Sequence, residues 1–194
     1  MDDFGKMVGV ARKALSEPYL LSEAERLVPS KPGLYAIYGS AGTWRLLGLG
    51  DPHDNWPLYV GKAEDSLKSR DLETHFGNGR TGSSTLRRSF AALLHDSLGF
   101  CGIPRNPAKP DHFSNYGLSP AHDAALTLWM RERLELAFWA KPEDCYVLLK
   151  KIESQLPVDL SPPLNLKDVA TLWTARVKAA RKVMAAEARA WAWA

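Results

Sequence analysis

Cysteine is nearly absent. The two in 194 residues, Cys101 and Cys145, stand far apart and in no CxxC or Cys/His spacing, which excludes a disulfide framework and a cysteine-based zinc site. Long apolar runs are missing too. No stretch exceeds about seven residues even when Gly is counted, far short of the roughly 20 that a membrane-spanning helix needs. The opening Met1-Asp2-Asp3 lacks the basic head and apolar core of a secretory signal. A reducing, cytoplasmic location is therefore expected, with no membrane partner. Charge of one sign is also scarce, because 25 Lys and Arg against 22 Asp and Glu leave only +3. The excess is uneven: from Lys167 onward six basic residues oppose two acidic ones. A basic C-terminal helix over 166–194 is expected, a phosphate-facing surface or a solvated face. With 45% hydrophobic and 24% charged residues, disorder as the main state is excluded, and residues 1–194 are expected to form a single domain.

What is present reads as alternating helices and short strands. Phe4, Met7, Val8 and Ala11 are spaced for one apolar helix face, and Pro18 interrupts it. Ser22 with Glu25 has the capping-box spacing of a second short helix. Gly33 to Tyr38, GLYAIY, predicts a strand, and another ends in Leu58-Tyr59-Val60; Thr43 to Leu49 between them reads as a strand or a long hairpin arm. Helices are expected over Asp65 to about Phe76 and over Ser83 to Leu98, where Leu86, Phe90, Leu93 and Leu94 form a stripe and Arg87 and Arg88 face elsewhere. Pro104 to Tyr116 is loop-like. Ser119-Pro120 caps a helix running to about Leu134, Leu134 to Trp139 is a third strand, and Pro142 restarts a helix to about Gln155. A last helix spans about Lys167 to Arg189. The seven tryptophans, Trp191 and Trp193 among them, read as packing residues.

One ordered set carries chemistry: Gly33-Leu34-Tyr35, Tyr59-Val60-Gly61-Lys62, Leu67 with Arg70, His75, Glu153, and Pro163-Leu164-Asn165. Each tripeptide alone is weak, whereas the ordered set, with each tyrosine on a predicted strand, is specific. It resembles the GIY-YIG nuclease family, GLY standing for GIY and YVG for YIG. The resemblance covers about Pro32 to Asn165. It implies an α+β fold with a small antiparallel sheet of three or four strands flanked by helices. In this chain that core, 32–165, would carry a helical insertion at about 77–133 and extra N- and C-terminal helices. The steps from Gly61 to Arg70 and from Arg70 to His75 look one residue longer than the family's. On an unbroken α-helix a residue at i+5 lies about 140° away, so Arg70 and His75 share a face only if that helix breaks or unwinds. Between His75 and Glu153 lie 77 residues, the kind of insertion that sets substrate choice rather than chemistry.

Phosphodiester hydrolysis needs a deprotonated water in line with the leaving oxygen, countercharge for the transition state, and relief of charge on the departing 3′ oxygen. Tyr35 or Tyr59 can take the proton, although a phenol with a pKa of about 10 needs cations beside it, and Lys62 can supply one. Arg70 suits the non-bridging phosphate oxygens. Glu153 is the natural ligand for one Mg²⁺, with Mn²⁺ as a substitute; a single carboxylate in the set favours one metal over two, in agreement with the family. Gly61, Arg87, Arg88 and Asn165 are candidate substrate contacts, the two arginines with Arg80 and Thr81 in a Gly-rich turn. Asn165 equally suits loop closure or capping of the last helix. His53, His95, His112 and His122 show no metal-ligand spacing. The reading is a metal-dependent endonuclease acting on DNA, duplex or single-stranded, with a homodimer as one way to gain specificity. The alternative is a non-catalytic nucleic-acid-binding module of the same fold.

Overall fold

The computed structural model describes residues 3–52, 56–106, 110–166 and 170–191; His53, Lys167, Asp168 and Trp193 lie outside them. The chain begins with helix α1 (Asp3–Leu15), a two-residue strand β1 (Tyr19–Leu20) and helix α2 (Leu21–Leu27). Strand β2 (Gly33–Gly39), helix α3 (Ala41–Leu46) and strand β3 (Tyr59–Ala63) follow. A π-helical turn (Ser69–His75) and a 3-10 turn (Thr81–Ser83) lead into α4 (Thr85–Leu93) and α5 (His95–Leu98). After a 3-10 segment (Pro110–Asn115) come α6 (Pro120–Arg133), β4 (Leu134–Ala140), α7 (Leu149–Leu160) and α8 (Thr174–Trp191). The four strands form one antiparallel sheet in the order β1-β4-β2-β3.

Strand β2 is central and buried on both faces, which is why GLYAIY is an apolar run rather than an alternation. Alternate side chains still part to two cores. Leu34, Ala36 and Tyr38, with Val60 and Ala137, pack beneath α1 and α7 against Leu15, Ile152 and Leu156. Tyr35 and Ile37 face a larger core built with Phe90, Leu126 and Met130. Strand β3 is an edge, and its exposed backbone is covered from the chain's far end. Asn165 Oδ1 accepts from Val60 N–H (2.9 Å), Asn165 Nδ2 donates to Val60 C=O (2.8 Å), and Leu164 N–H donates to Leu58 C=O (3.0 Å).

Four local expectations are corrected. Residues 43–49 form no strand: Ser40 accepts from Thr43 N–H and starts α3 there, burying Trp44, and Gly48 follows in the left-handed region (φ 66°). The extra strand is Tyr19–Leu20 instead. The capping box at Ser22 does not form, because α2 begins at Leu21, which puts Ser22 inside the helix and leaves Leu20 at the cap position with no side-chain bond. The helix after β4 starts at Leu149 rather than Pro142. The final helix starts at Thr174. Trp173 anchors it edge-on to Trp44 and Trp56 and donates from its indole to Leu49 C=O (2.8 Å).

Candidate active site

The two tyrosines come together through the register of β2 and β3, in which Tyr35 pairs with Gly61. Their ring centroids lie 6.0 Å apart. A Cβ at Gly61 would stand 2.5 Å from Tyr35 Oη and 2.8 Å from Tyr59 Cε1, so this glycine is the floor on which both rings rest. Tyr35 is fully enclosed and Tyr59 half-buried.

Arg70 and His75 join them because the helix between them is not α. In a π-helix each N–H reaches back five residues, as Phe76 N–H does to Asp71 C=O (3.0 Å), so the wider turn sets residue i+5 above residue i. The five-residue step thus gives Arg70 and His75 a shared face. His75 Nε2 lies 2.7 Å from Tyr35 Oη, and its Nδ1 lies 2.8 Å from Ser84 Oγ. Burial, reinforced by the cations of Arg70 and Arg87, holds His75 well below the usual imidazole value, so the ring is neutral. Burial pushes the Tyr35 hydroxyl well above the ordinary phenol value, with Tyr59 and Asp71 adding to the shift and Arg70 opposing it. Tyr59 is raised by burial, and Arg70 again opposes.

On β3 side chains alternate, so Tyr59 looks to the Tyr35 face while Lys62 looks to the α7 face. The site therefore wraps around the edge strand. Lys62 Nζ pairs with Glu64 and stands 4.0 Å from Glu153 Oε2 of α7. An open groove of about 390 Å³ beside it is lined by Lys62, Glu64, Ser66, Ser69, Arg70 and Thr74. Among the described residues no three His, Cys, Asp or Glu side chains gather as a ready-made metal cage.

Three expected substrate contacts are placed elsewhere. Arg87 is 0% exposed: Nη2 donates to Asp123 Oδ2 (2.9 Å), to Asp123 C=O (3.1 Å) and to Thr127 Oγ1 (2.9 Å), and Nη1 donates to His75 C=O (3.0 Å). Arg88 is 6% exposed and donates to Gly82 C=O and Thr85 Oγ1; burial, with Arg181 and Arg105 nearby, brings its pKa down to about 10. A helical stripe read from four leucine and phenylalanine positions misses such arginines, because a guanidinium is buried against partners that distant segments supply: Arg87 finds one at each nitrogen, whereas Arg88 Nε has none among the described residues. Asn165 spends both ends of its amide on Val60 and closes the sheet edge.

Two residues were not foreseen. Ser84 touches His75 and caps α4. Asp71 is buried beside Arg70, with neither carboxylate oxygen bonded among the described residues. Burial raises Asp71 well above the usual carboxylate value despite Arg70. Folded Asp71 holds its proton more tightly than the unfolded chain does. The position thus costs nothing below the unfolded value of 3.8 and removes stability as pH rises from there toward the folded value. Asp71→Asn should raise the thermal midpoint near about pH 7, and the gain should shrink as pH approaches about 4. Calorimetry across that range reads it; equal effects at both ends would refute it.

An α+β fold in which neighbouring strands each present a tyrosine to a π-helical arginine and histidine defines a catalytic domain built around a sheet edge. The sequence model described as the GIY-YIG catalytic domain matches residues 49–183, more than half of the chain, and the chain belongs to the GIY-YIG family, a family of nucleases. The matched stretch holds β3, the π-helix and Glu153 but begins after Tyr35, which the sheet register joins to it. No curated protein and no solved structure matches the chain. Among the described residues no helix is long and apolar enough to cross a membrane.

Proposed function

We propose that the protein is a metal-dependent endonuclease that hydrolyses phosphodiester bonds in DNA at this site. The observation that carries the reading is the convergence of Tyr35, Tyr59, Arg70 and His75 on one side of strand β3 with Lys62 and Glu153 on the other. Tyr59 is the more open phenol and takes the proton from the attacking water. Its raised pKa makes it a weak base alone, so the Arg70 cation must favour its anion. Arg70, planar and permanently charged, also presents donors to the non-bridging phosphate oxygens. Neutral His75 holds Tyr35 against Tyr59.

Glu153 fits a divalent cation: its side chain is 27% exposed and already faces the Lys62 ammonium, and its hard oxygens suit Mg²⁺ or Mn²⁺, ions that bind through one or two carboxylates and keep their waters. Such an ion supplies countercharge to the scissile phosphate and the departing 3′ oxygen.

Supercoiled plasmid incubated with the protein and Mg²⁺ should be nicked, chelator should stop the reaction, and Glu153→Gln should slow it by about 10²-fold or more. Cutting that survives Glu153→Gln removes the metal assignment. Salt-sensitive binding without any metal-dependent nicking would make the protein a binding module instead.

A further inference from the structure

We infer that Ser84 fixes the tautomer of His75, so that the imidazole carries its proton on Nε2 and donates it to Tyr35 Oη. Ser84 is thereby a positioning residue for the tyrosine pair. The inference rests on the proposed nuclease reading for its purpose, though not for its geometry.

The geometry is a matter of counting protons in a closed space. Ser84, His75 and Tyr35 are each fully buried, so every O–H and N–H must find an acceptor within the protein. Ser84 Oγ already accepts from Arg87 N–H (3.1 Å) as the cap of α4. Its own proton needs a destination, and among the described residues the acceptor within reach is His75 Nδ1, at 2.8 Å. A neutral imidazole that accepts at Nδ1 is protonated at Nε2, and Nε2 faces Tyr35 Oη at 2.7 Å. Tyr35 then accepts from His75 and is free to direct its own hydroxyl onward to Tyr59, whose hydroxyl it reaches as a hydrogen-bond partner. The opposite arrangement, with Nδ1–H donating to Ser84 and Tyr35 donating to Nε2, strands the serine proton in a dry core, an outcome that buried hydroxyls rarely tolerate.

The direction matters for chemistry. A histidine that donates to Tyr35 strengthens that phenol as a donor toward Tyr59, and so steadies negative charge there as water is deprotonated. A histidine that accepts from Tyr35 pulls the chain the other way. Burial and two flanking cations oppose His75 taking a second proton, so the ring acts as a fixed donor and not as the final proton acceptor. Where a histidine ligates a metal, the partner of its far nitrogen tunes affinity or activity by about 10- to 100-fold, and an effect of that size is expected for the partner that orients His75.

The test reads the tautomer directly, without substrate. Long-range ¹H–¹⁵N correlation spectra of ¹⁵N-labelled protein at neutral pH should show His75 with a protonated Nε2 and a bare Nδ1; the reverse pattern overturns the inference. Ser84→Asp keeps an excellent helix cap but offers only acceptor oxygens. It should move the proton to Nδ1 and lower kcat for plasmid nicking by about 10- to 100-fold with little change in KM. Ser84→Thr, which keeps hydroxyl and cap, should restore the wild-type spectrum even if the aspartate variant does not fold. An Asp variant that folds with Nε2 still protonated, or a Thr variant with the proton on Nδ1, refutes the role of Ser84. If the spectra agree but no nucleic acid is cut, the hydrogen-bond chain stands and the nuclease reading fails.

Discussion

Arg87→Met is expected to destabilise the protein by about 3–5 kcal/mol, the range found when one partner of a buried ion pair is removed and the other is left charged in the interior. For a chain of this size that is a fall of about 10 °C in the melting midpoint, read by thermal or denaturant unfolding. The cause is the density of bonds at this guanidinium. Arg87 ties α4 to α6 through Asp123 and Thr127, to the 3-10 turn through Thr81, and to the end of the π-helix through the His75 carbonyl. The carboxylate of Asp123 also accepts from Gly79 N–H and Thr81. Replacing Asp123 together with Arg87 should therefore cost less than the two single losses added, a coupling that a double-mutant cycle measures. A loss below about 1 kcal/mol for the single variant would mean that the pair is dispensable.

Tyr59→Phe should lower kcat for strand cleavage by about 10²–10⁴-fold, the span attributed to a positioned proton acceptor, with KM and the folded spectrum little changed because the ring stays in place. The pH dependence gives a sharper reading. A phenol raised above its ordinary value of 10 is almost wholly protonated near neutrality, so the wild-type rate should climb from about pH 6 to about pH 9 as the reactive anion becomes commoner. The Phe variant should lose that slope. A variant that keeps both its rate and its slope would move the proton-accepting role away from Tyr59.

His75 adds an acid limit. Its folded pKa is depressed, so neutral His75 contributes stability above its unfolded value of 6.5, and that stability is lost as pH falls toward the folded value. Asp71 acts in the opposite sense, relieving strain as pH falls.

Periodicity made much of the scaffold legible. GLYAIY and LELAFW are dense in β-favouring residues, and Ser119-Pro120 is a strong start signal; all three appear where expected. Thr43 to Leu49 is ambiguous in sequence because leucine and tryptophan suit either state, and the contact that makes it helical is local, the Ser40 hydroxyl on Thr43 N–H. The ordered tyrosines, Arg70 and Glu153 pointed to the site, yet their spacing argued against His75 on any regular α-helix. Arg87 and Arg88 look like surface residues by composition, since nothing nearby in sequence foretells an acid 36 positions away.

By itself the sequence determined the chemistry on offer: which strands carry phenols, which segment brings a guanidinium and an imidazole, and where one carboxylate stands apart from them in the chain. Only the tertiary structure decided how those groups face. The burial that keeps His75 neutral and orphans Asp71 and the amide clamp of Asn165 on Val60 arise from contacts between distant segments, and the π-turn that aligns Arg70 with His75 is a departure from regular α-helical spacing. Side-chain direction, solvation and proton ownership depend on what surrounds a group in space, and a linear order of residues does not contain that.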